Sequence, residues 1–394
     1  MRARFVCASI FTLLAACSGA NGPAGADGAP GAQGTQGPQG PQGPEGPAAE
    51  AGVVAPGAVY TLSNDATANE IVAYDRAADG SLAPSAIYPT GGVGTGASLG
   101  DQGALAYSAS KKALFAVNAG DDSISMLAIH ADGSLWLVSK IDSGGKLPIS
   151  VTVNGDYVYA LNDGDATHPA NVSGFQIGDA GLRALTGSTQ ALSADQPGPA
   201  EIGFSPDGKL LVVTEKGTNQ IDTFVVTSGV AGPVHAQASA GTTPYGFAFS
   251  AGGQLVVSEA AGGAAGASTA SSYSLSSTDG TITAVSSAVA SSQSAACWVA
   301  VAGAHAYVSN AKSNDLASYA IGNDGALTLV GSGDAGATGK GPLDAAATPA
   351  GDFLYVLDSG DAAITIFSVA TDGTLTKKSD FAGIPEHATG IVAR

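Results

Sequence analysis

The chain has 394 residues, a formal net charge of −18 and only 12% charged residues. This acidic balance argues against a nucleic-acid or other polyanionic partner, because such partners need clustered Lys and Arg. It also disfavours a phosphorylated substrate, because the sequence shows neither an Arg cluster nor a glycine-rich phosphate loop.

The first residues are typical of a bacterial export signal. Residues 1–16 carry Arg2 and Arg4 and then an apolar stretch that is too short to span a membrane. Residues 14–17, Leu-Ala-Ala-Cys, are similar to a lipobox, in which the cysteine is lipidated and becomes the mature N-terminus. Ser18 follows in place of Asp, which points to the outer membrane. We therefore expect a lipoprotein signal peptide over residues 1–16 and a lipid on Cys17. The alternative is an ordinary cleaved signal with an incidental cysteine.

The next segment has a collagen-like spacing. From Gly19 to Gly46 a glycine occupies every third position, and the run ends in Gly-Pro-Gln and Gly-Pro-Glu triplets. We expect residues 17–57 to be a linker that holds the following domain away from a membrane. Local trimerisation through this stalk is the alternative.

A repeat then covers residues 58–394. Seven Asp-Gly-like turns recur 45 to 53 residues apart, at residues 79–80, 132–133, 179–181, 228–229, 279–280, 324–325 and 372–373. A four-stranded antiparallel blade needs about 40 to 50 residues. The sequence therefore predicts an all-β fold, a seven-bladed β-propeller of four-stranded antiparallel blades.

The second strand of each predicted blade is short and apolar on both faces, as expected of strands packed between neighbouring blades. The first blade lacks an innermost strand, whereas residues 387–392 match the innermost strands elsewhere. We therefore predict that the C-terminal strand pairs into blade one and closes the ring.

Polar residues end these second strands in one register, and we expect them to ring one mouth of the central channel. They are Ser63, Asn118, Asn162, Glu215, Glu259, Asn310 and Asp358. The alternative is that the Asn and Asp side chains terminate strands by binding loop backbone.

Glutamate is a poor turn former, so Glu215 and Glu259 are the candidates for a carboxylate base with a neighbour that raises its pKa. Solvated or Lys216-paired carboxylates are the alternative. Oxygen ligands around a channel could also hold Ca²⁺, but no loop has a calcium-binding spacing, so we expect no cofactor. His168, in a long loop of blade three, could reach the mouth. Cys297, the cysteine left after export, is expected to be a buried small residue.

Residues 204–215, followed by 219–224, resemble the lactonase family of seven-bladed propellers, which includes 6-phosphogluconolactonases and carboxymuconate cyclases. Residues 350–356 and 364–367 and the Asp-Gly turns share the resemblance. Catalytic members of that family carry an Arg-His pair at the start of blade four, a His entering blade three and further Arg residues at the mouth. The corresponding residues here are Ala200, Glu201, Ile149, Ala311 and Leu343.

The resemblance implies a role for Glu215, which stands where the family has its Glu. One hypothesis is an exported hydrolase of a neutral sugar or small-molecule lactone. Glu215 would activate water, and Asn162 or Asn310 would stabilise the oxyanion. The remaining substrate-binding candidates are Glu259, Asn118, Asp358 and His168. The other hypothesis is a non-catalytic surface propeller that binds a glycan, peptide or protein.

Overall fold

The computed structural model describes residues 57–394, and the predicted signal peptide, Cys17 and nearly all of the predicted linker lie outside this range. The described residues form seven antiparallel sheets and one short 3₁₀ turn, Ala261–Gly263. No helix in this range is long and apolar enough to cross a membrane.

Thirty strands build the sheets. Blades one to four contain β1 (Gly57–Leu62), β2 (Glu70–Arg76), β3 (Leu82–Pro89), β4 (Leu105–Ser108), β5 (Ala113–Asn118), β6 (Ser123–Ile129), β7 (Leu135–Asp142), β8 (Pro148–Asn154), β9 (Tyr157–Asn162), β10 (Asn171–Gly178), β11 (Gly181–Ala184), β12 (Gln190–Ala191), β13 (Pro199–Phe204), β14 (Leu210–Glu215), β15 (Gln220–Thr227) and β16 (Val230–Ala238).

Blades five to seven continue the series. Their strands are β17 (Pro244–Phe249), β18 (Leu255–Glu259), β19 (Thr269–Leu275), β20 (Ile282–Ala290), β21 (Ala296–Ala302), β22 (His305–Asn310), β23 (Asp315–Ile321), β24 (Leu327–Leu329), β25 (Gly336–Ala337), β26 (Pro342–Ala347), β27 (Phe353–Asp358), β28 (Ala363–Val369) and β29 (Leu375–Ala382). The last strand, β30 (Thr389–Ala393), belongs to blade one.

The seven-bladed propeller predicted from the repeat is confirmed. The innermost strands contact one another in a closed ring, in the order β4, β8, β13, β17, β21, β26, β30 and back to β4. In blade one the order is β3-β2-β1-β30, so the C-terminal strand supplies the missing innermost strand. The Ala58 and Arg394 backbones exchange hydrogen bonds of 3.1 and 2.9 Å across this closure. Closure thus pairs the edge of β1 with the edge of β30, both of which would otherwise be exposed.

The second strands of the blades lie between neighbouring sheets. Every residue of β5, β14 and β27 is buried, although side chains alternate between the two faces of a strand. Both faces must therefore be apolar, which explains why these runs do not alternate in the sequence. Cys297 on β21 is also buried, and burial raises the pKa of its thiol to about 12.

The Asp-Gly turns join neighbouring blades as well as neighbouring strands. In five places a hydroxyl of one blade donates to the carbonyl of the turn glycine in the next blade. The pairs are Tyr159 with Gly229, Thr223 with Gly280, Ser272 with Gly325, Tyr307 with Gly373, and Tyr355 with Gly80. The repeated turn therefore sets the spacing between blades.

Gly229 shows why this position is glycine. Its φ is +82°, and a Cβ there would overlap the ring of Tyr157. We expect Gly229→Ala to destabilise the domain by left-handed strain, about 1 kcal/mol, and by a further 1–3 kcal/mol for the overlap. Gly253 is the matched control, because its φ is +83° and nothing lies within 4 Å of its Cβ position. Thermal melting should place Gly229→Ala about 2 to 6 °C below Gly253→Ala. Equal melting temperatures would contradict the packing argument.

Candidate functional site

The polar residues that end the second strands are buried inside the blades. Each of the seven exposes at most 4% of its surface. The prediction that their side chains ring the mouth is therefore wrong. The strand ends lie at the mouth, but the side chains point between the second and third strands and the loop that enters the blade.

The amide and aspartate members bind side chains on the third strands of their own blades. Asn118 donates to Ser123 at 3.0 Å and Ser125 at 2.9 Å. Asn162 donates to Asn171 at 3.0 Å, and Asn310 donates to Asp315 at 2.8 Å. Asp358 accepts from Thr365 at 2.6 Å. Asn162 also donates to the loop carbonyl of Ser143 at 3.2 Å, whereas the partners above are strand side chains. The strand-terminating alternative and a role in substrate binding both stay predictions.

Glu215 is fully buried and engaged at both oxygens. Ser193 donates its backbone N–H at 3.1 Å and its hydroxyl at 2.5 Å, and Thr218 donates its hydroxyl at 2.5 Å. Asp222 lies against this carboxylate. Burial, together with the charge of Glu215, raises the pKa of Asp222 to about 8. The Asp222 carboxyl therefore keeps its proton at neutral pH.

Glu259 has a similar environment in blade five. It accepts from the Gly241 N–H at 3.0 Å, from Ser239 at 3.3 Å and from Thr269 at 2.6 Å. Burial raises the pKa of this carboxyl. Lys216 forms no ion pair with Glu215 or Glu259, so the Lys216-paired alternative is wrong.

His168 lies exposed in the loop between β9 and β10. Its Nδ1 is 2.9 Å from Asp165, and Thr167 binds the same carboxylate. This is a self-contained loop motif, and a catalytic or binding role for His168 stays a prediction.

The channel is crossed by residues 98–104, which we call the channel segment. It links blade one to β4 and contacts blades three to seven. The Gln102 N–H donates to the Ala200 carbonyl at 3.1 Å, and the Gln102 side chain makes two hydrogen bonds to the backbone of Val299, at 2.8 and 3.0 Å. The Gly103 N–H donates to Asp344 at 3.2 Å. The segment therefore forms the floor of the mouth.

Asp101 of the channel segment carries a buried carboxylate without a partner. Its residue surface is 3% exposed, and neither Oδ1 nor Oδ2 has a hydrogen bond. Its backbone carbonyl is held at 2.6 Å by the indole N–H of Trp298. Burial and the neighbouring Asp344 carboxylate raise the pKa of Asp101 well above its usual range, and Lys216 opposes that rise.

Two more carboxyl groups lie in the channel. Glu201 accepts from the Phe247 N–H at 2.6 Å, and Asp344 accepts from the Ala345 N–H at 2.8 Å. Burial raises the pKa of Asp344 to about 6 and that of Glu201 well above its usual range. The buried carboxyl groups of Asp101, Glu201 and Asp344 therefore make this region acidic.

Lys216 supplies the cation at this mouth. Its Nζ donates to the Gly100 carbonyl at 2.7 Å and lies 4.8 Å from the centre of the Tyr245 ring. Burial lowers the pKa of Lys216, while Asp101 and Asp163 oppose that shift. Lys216 lies in the turn that follows β14, and its Nζ reaches the channel segment, whereas the adjacent Glu215 carboxylate is bound by Ser193 and Thr218 inside the blade.

A cavity of about 360 Å³ opens beside the channel segment. It is lined by Ser98, Leu343, Ser359, Gly360, Glu386, His387 and Ala388. Glu386 and His387 are exposed there, just before β30. Neither residue was predicted as a site residue, although their position at the start of the predicted closing strand would have placed them at the mouth.

A metal site is not evident in residues 57–394. No group of three or more His, Cys, Asp or Glu side chains in this range is arranged to hold an ion. Glu201 and Asp344 each accept a hydrogen bond from a backbone N–H, so these carboxylate oxygens are already bound.

A seven-bladed propeller with polar groups at one mouth of its channel defines a broad class of enzymes and binding proteins. Within that class, the family described as lactonase, 7-bladed beta-propeller, matches residues 58–177, 170–294 and 265–389. The chain belongs to this family. No curated protein matches the sequence.

Solved structures agree in fold. A Bacteroides fragilis protein proposed to be a 6-phosphogluconolactonase is 20% identical, with a TM-score of 0.65 over 88% of this chain and 100% of that one. A similar protein from Bacteroides uniformis is 19% identical, with a TM-score of 0.67 over 86% and 99%. The periplasmic gluconolactonase PpgL of Pseudomonas aeruginosa is 15% identical, with a TM-score of 0.63 over 85% and 99%. At these identities the likeness concerns the fold.

Proposed function

We propose that this protein is an exported lactonase-like hydrolase that opens a small, unphosphorylated lactone at the mouth beside the channel segment. Family membership supports the reaction class. The observation that carries the proposal is the open cavity in which His387 and Glu386 are exposed, next to the channel segment to which Lys216 is bound.

Lactone opening needs a base for the attacking water and a positive group for the carbonyl oxygen that becomes negative. Imidazole is the commonest general base, so we assign the first role to His387. Lys216 would stabilise the developing oxyanion. An acidic channel disfavours a phosphate on the substrate, because like charges repel at short range.

A second function is favoured by the state of Glu215. The one catalytic residue that the family resemblance transfers is closed off by Ser193 and Thr218. Ala200, Glu201 and Leu343 stand at positions of the family's basic groups. A non-catalytic propeller that binds a glycan, peptide or protein at the same mouth would need none of these groups.

Two substitutions separate these possibilities. We expect His387→Gln to lower the hydrolysis of a neutral δ-lactone by about 10² to 10⁴ and to leave the melting temperature unchanged, because His387 is exposed. Glu215→Gln should instead lower the melting temperature. The N–H groups of the new amide would face the donors of Ser193 and Thr218, and these donors would lose their acceptor. Both variants are compared with wild type by pH-stat assay and thermal melting.

If only Glu215→Gln loses activity and its melting temperature is normal, the general base is Glu215 and not His387. If the wild-type protein binds a lactone but does not open it, the result supports the non-catalytic binding propeller.

Export and anchoring rest on the lipobox at residues 14–17. We expect metabolic labelling with a fatty acid to mark the wild type and the control Cys7→Ala, because Cys7 leaves with the signal peptide. The label should be lost in Cys17→Ala, because no other cysteine can be acylated there. An unlabelled wild type would contradict anchoring to the outer membrane. Residues 17–57 then serve as a spacer, with trimerisation through the glycine repeat as the alternative.

A further inference from the structure

We propose that the mouth takes a ligand that bears an ammonium group, with the Asp101 carboxylate as its counter-ion. The inference rests on the proposed function only in placing the ligand at the same mouth. Binding can be measured whether or not the bound molecule is hydrolysed.

The first step is the unpaired state of Asp101. A buried carboxylate normally accepts two or more hydrogen bonds, because leaving it unpaired costs free energy. Asp101 is 97% buried by residue surface, yet both of its oxygens lack partners. The Asp101 backbone is fixed by Trp298, and the next residue, Gln102, is fixed by Val299, so the carboxylate is held in place. The site therefore has an unpaired acid group, which a positively charged donor from outside would hold in its carboxylate form.

The second step is the charge that faces Asp101. The groups near it are Asp344, Lys216 and Asp163, together with Glu201 and the phenol of Tyr245. Three carboxyl groups thus surround Asp101, against the single ammonium of Lys216. That ammonium donates to the Gly100 carbonyl and leaves the Asp101 oxygens without a hydrogen bond. A second positive group is what the site lacks.

The third step concerns the kind of cation. A hard metal ion needs several converging oxygens, and no such group exists in the described part of the chain. Backbone amides already occupy oxygens of Glu201 and Asp344. An ammonium group needs fewer ligands and also binds the face of an aromatic ring. The Tyr245 ring already does this for Lys216, at 4.8 Å. An organic ammonium therefore fits better than a metal ion.

The fourth step is access. The 360 Å³ cavity is lined by Ser98 and Leu343. Asp101 is not among the lining residues, so a ligand in the cavity must extend along the channel segment from Ser98 to reach the Asp101 carboxyl group. The exposed Glu386 at the cavity rim adds another negative group on the way in.

The test uses a matched pair of non-hydrolysable ligands, α-amino-γ-butyrolactam and γ-butyrolactam, which differ in the ammonium group. Isothermal titration calorimetry on the full chain should show at least tenfold tighter binding of the amino compound. Asp101→Asn should reduce that preference to about onefold. Asp179→Asn is the control, because it removes the same charge from an exposed turn, and it should keep the preference.

Equal binding of the two lactams by wild type would overturn the proposal without any variant. A preference that survives in a folded Asp101→Asn would do the same. Calcium binding at this site, measured by calorimetry and lost in Asp101→Asn, would replace the ammonium with a metal. An ammonium preference in a protein that opens no lactone would support this inference while contradicting the proposed function.

Discussion

A chain that ends at residue 388 is expected to lose its cooperative melting transition. The missing residues include β30, the innermost strand of blade one, which pairs with β1 over Val59–Leu62. Their loss exposes the edge of β1 and uncovers buried Val59, Tyr355 and Ile364, which pack in the same cluster as Ile391. Several buried aliphatic side chains at about 1.5–3 kcal/mol each approach the whole stability of a domain. Circular dichroism during heating measures the result.

A rearranged chain provides the control. Arg394 lies beside Ala58, so residues 388–394 placed ahead of Gly57 through a short Asn-Gly turn could rebuild the same pairing as a hairpin. This variant should melt near the wild-type temperature. A truncated chain with an unchanged melting curve would show that β30 does not hold the ring closed.

The free energy of unfolding is expected to fall as the pH rises from about 4 to about 8. Burial raises the folded-state pKa of Asp344 to about 6, and burial beside Glu215 raises that of Asp222 to about 8. The corresponding pKa values in the unfolded chain are near 4. Between those values the folded protein binds more protons, so its stability decreases with pH. The contribution of Asp344 alone is about 3 kcal/mol.

Exposed aspartates limit how far the free energy of unfolding increases as the pH is lowered. Hydrogen bonds from Ser276 and Thr281 lower the pKa of Asp279 to about 2, and Asp79 and Asp132 are lowered in the same way. A lowered folded-state pKa contributes stability above the unfolded value and loses it as the pH falls. These turns therefore weaken below about pH 4, and maximum stability should lie near pH 4 to 5.

Urea unfolding at a series of pH values measures this profile. Asp222→Asn is the informative variant, because an amide donates to Glu215 as the protonated acid does. It should match wild type near pH 5 and exceed it at pH 9. A wild-type stability that rises steadily from pH 5 to 8 would contradict the expectation.

The repeat predicted the architecture because its determinants are local. An Asp-Gly pair has few alternatives to a tight turn, since glycine accepts the positive φ that Gly80 and Gly229 adopt. Strands that are apolar on both faces indicate burial between sheets. Blade one lacked an innermost strand, and the last strand of the chain, β30, was the strand without a blade, so the two were predicted to pair.

The site could not be derived in the same way. Register placed the Glu215 side chain at the mouth, but Ser193 and Thr218 hold it inside the blade, and Lys216 in the following turn reaches the channel segment instead. The channel segment has no periodicity, so its contacts with five blades had no counterpart in the sequence pattern. Asp101 and Asp344 lie far apart in sequence and meet through the closed ring.

Ring closure also determines how the domain bears a mechanical load. Any force transmitted through the chain before Gly57 acts first on β1, which is hydrogen-bonded to β2 on one side and to β30 on the other. To pull β1 out, such a force must break two ladders at once, whereas an outermost strand such as β3 is held by one. A propeller tethered at this strand therefore resists extraction better than one tethered at an outermost strand.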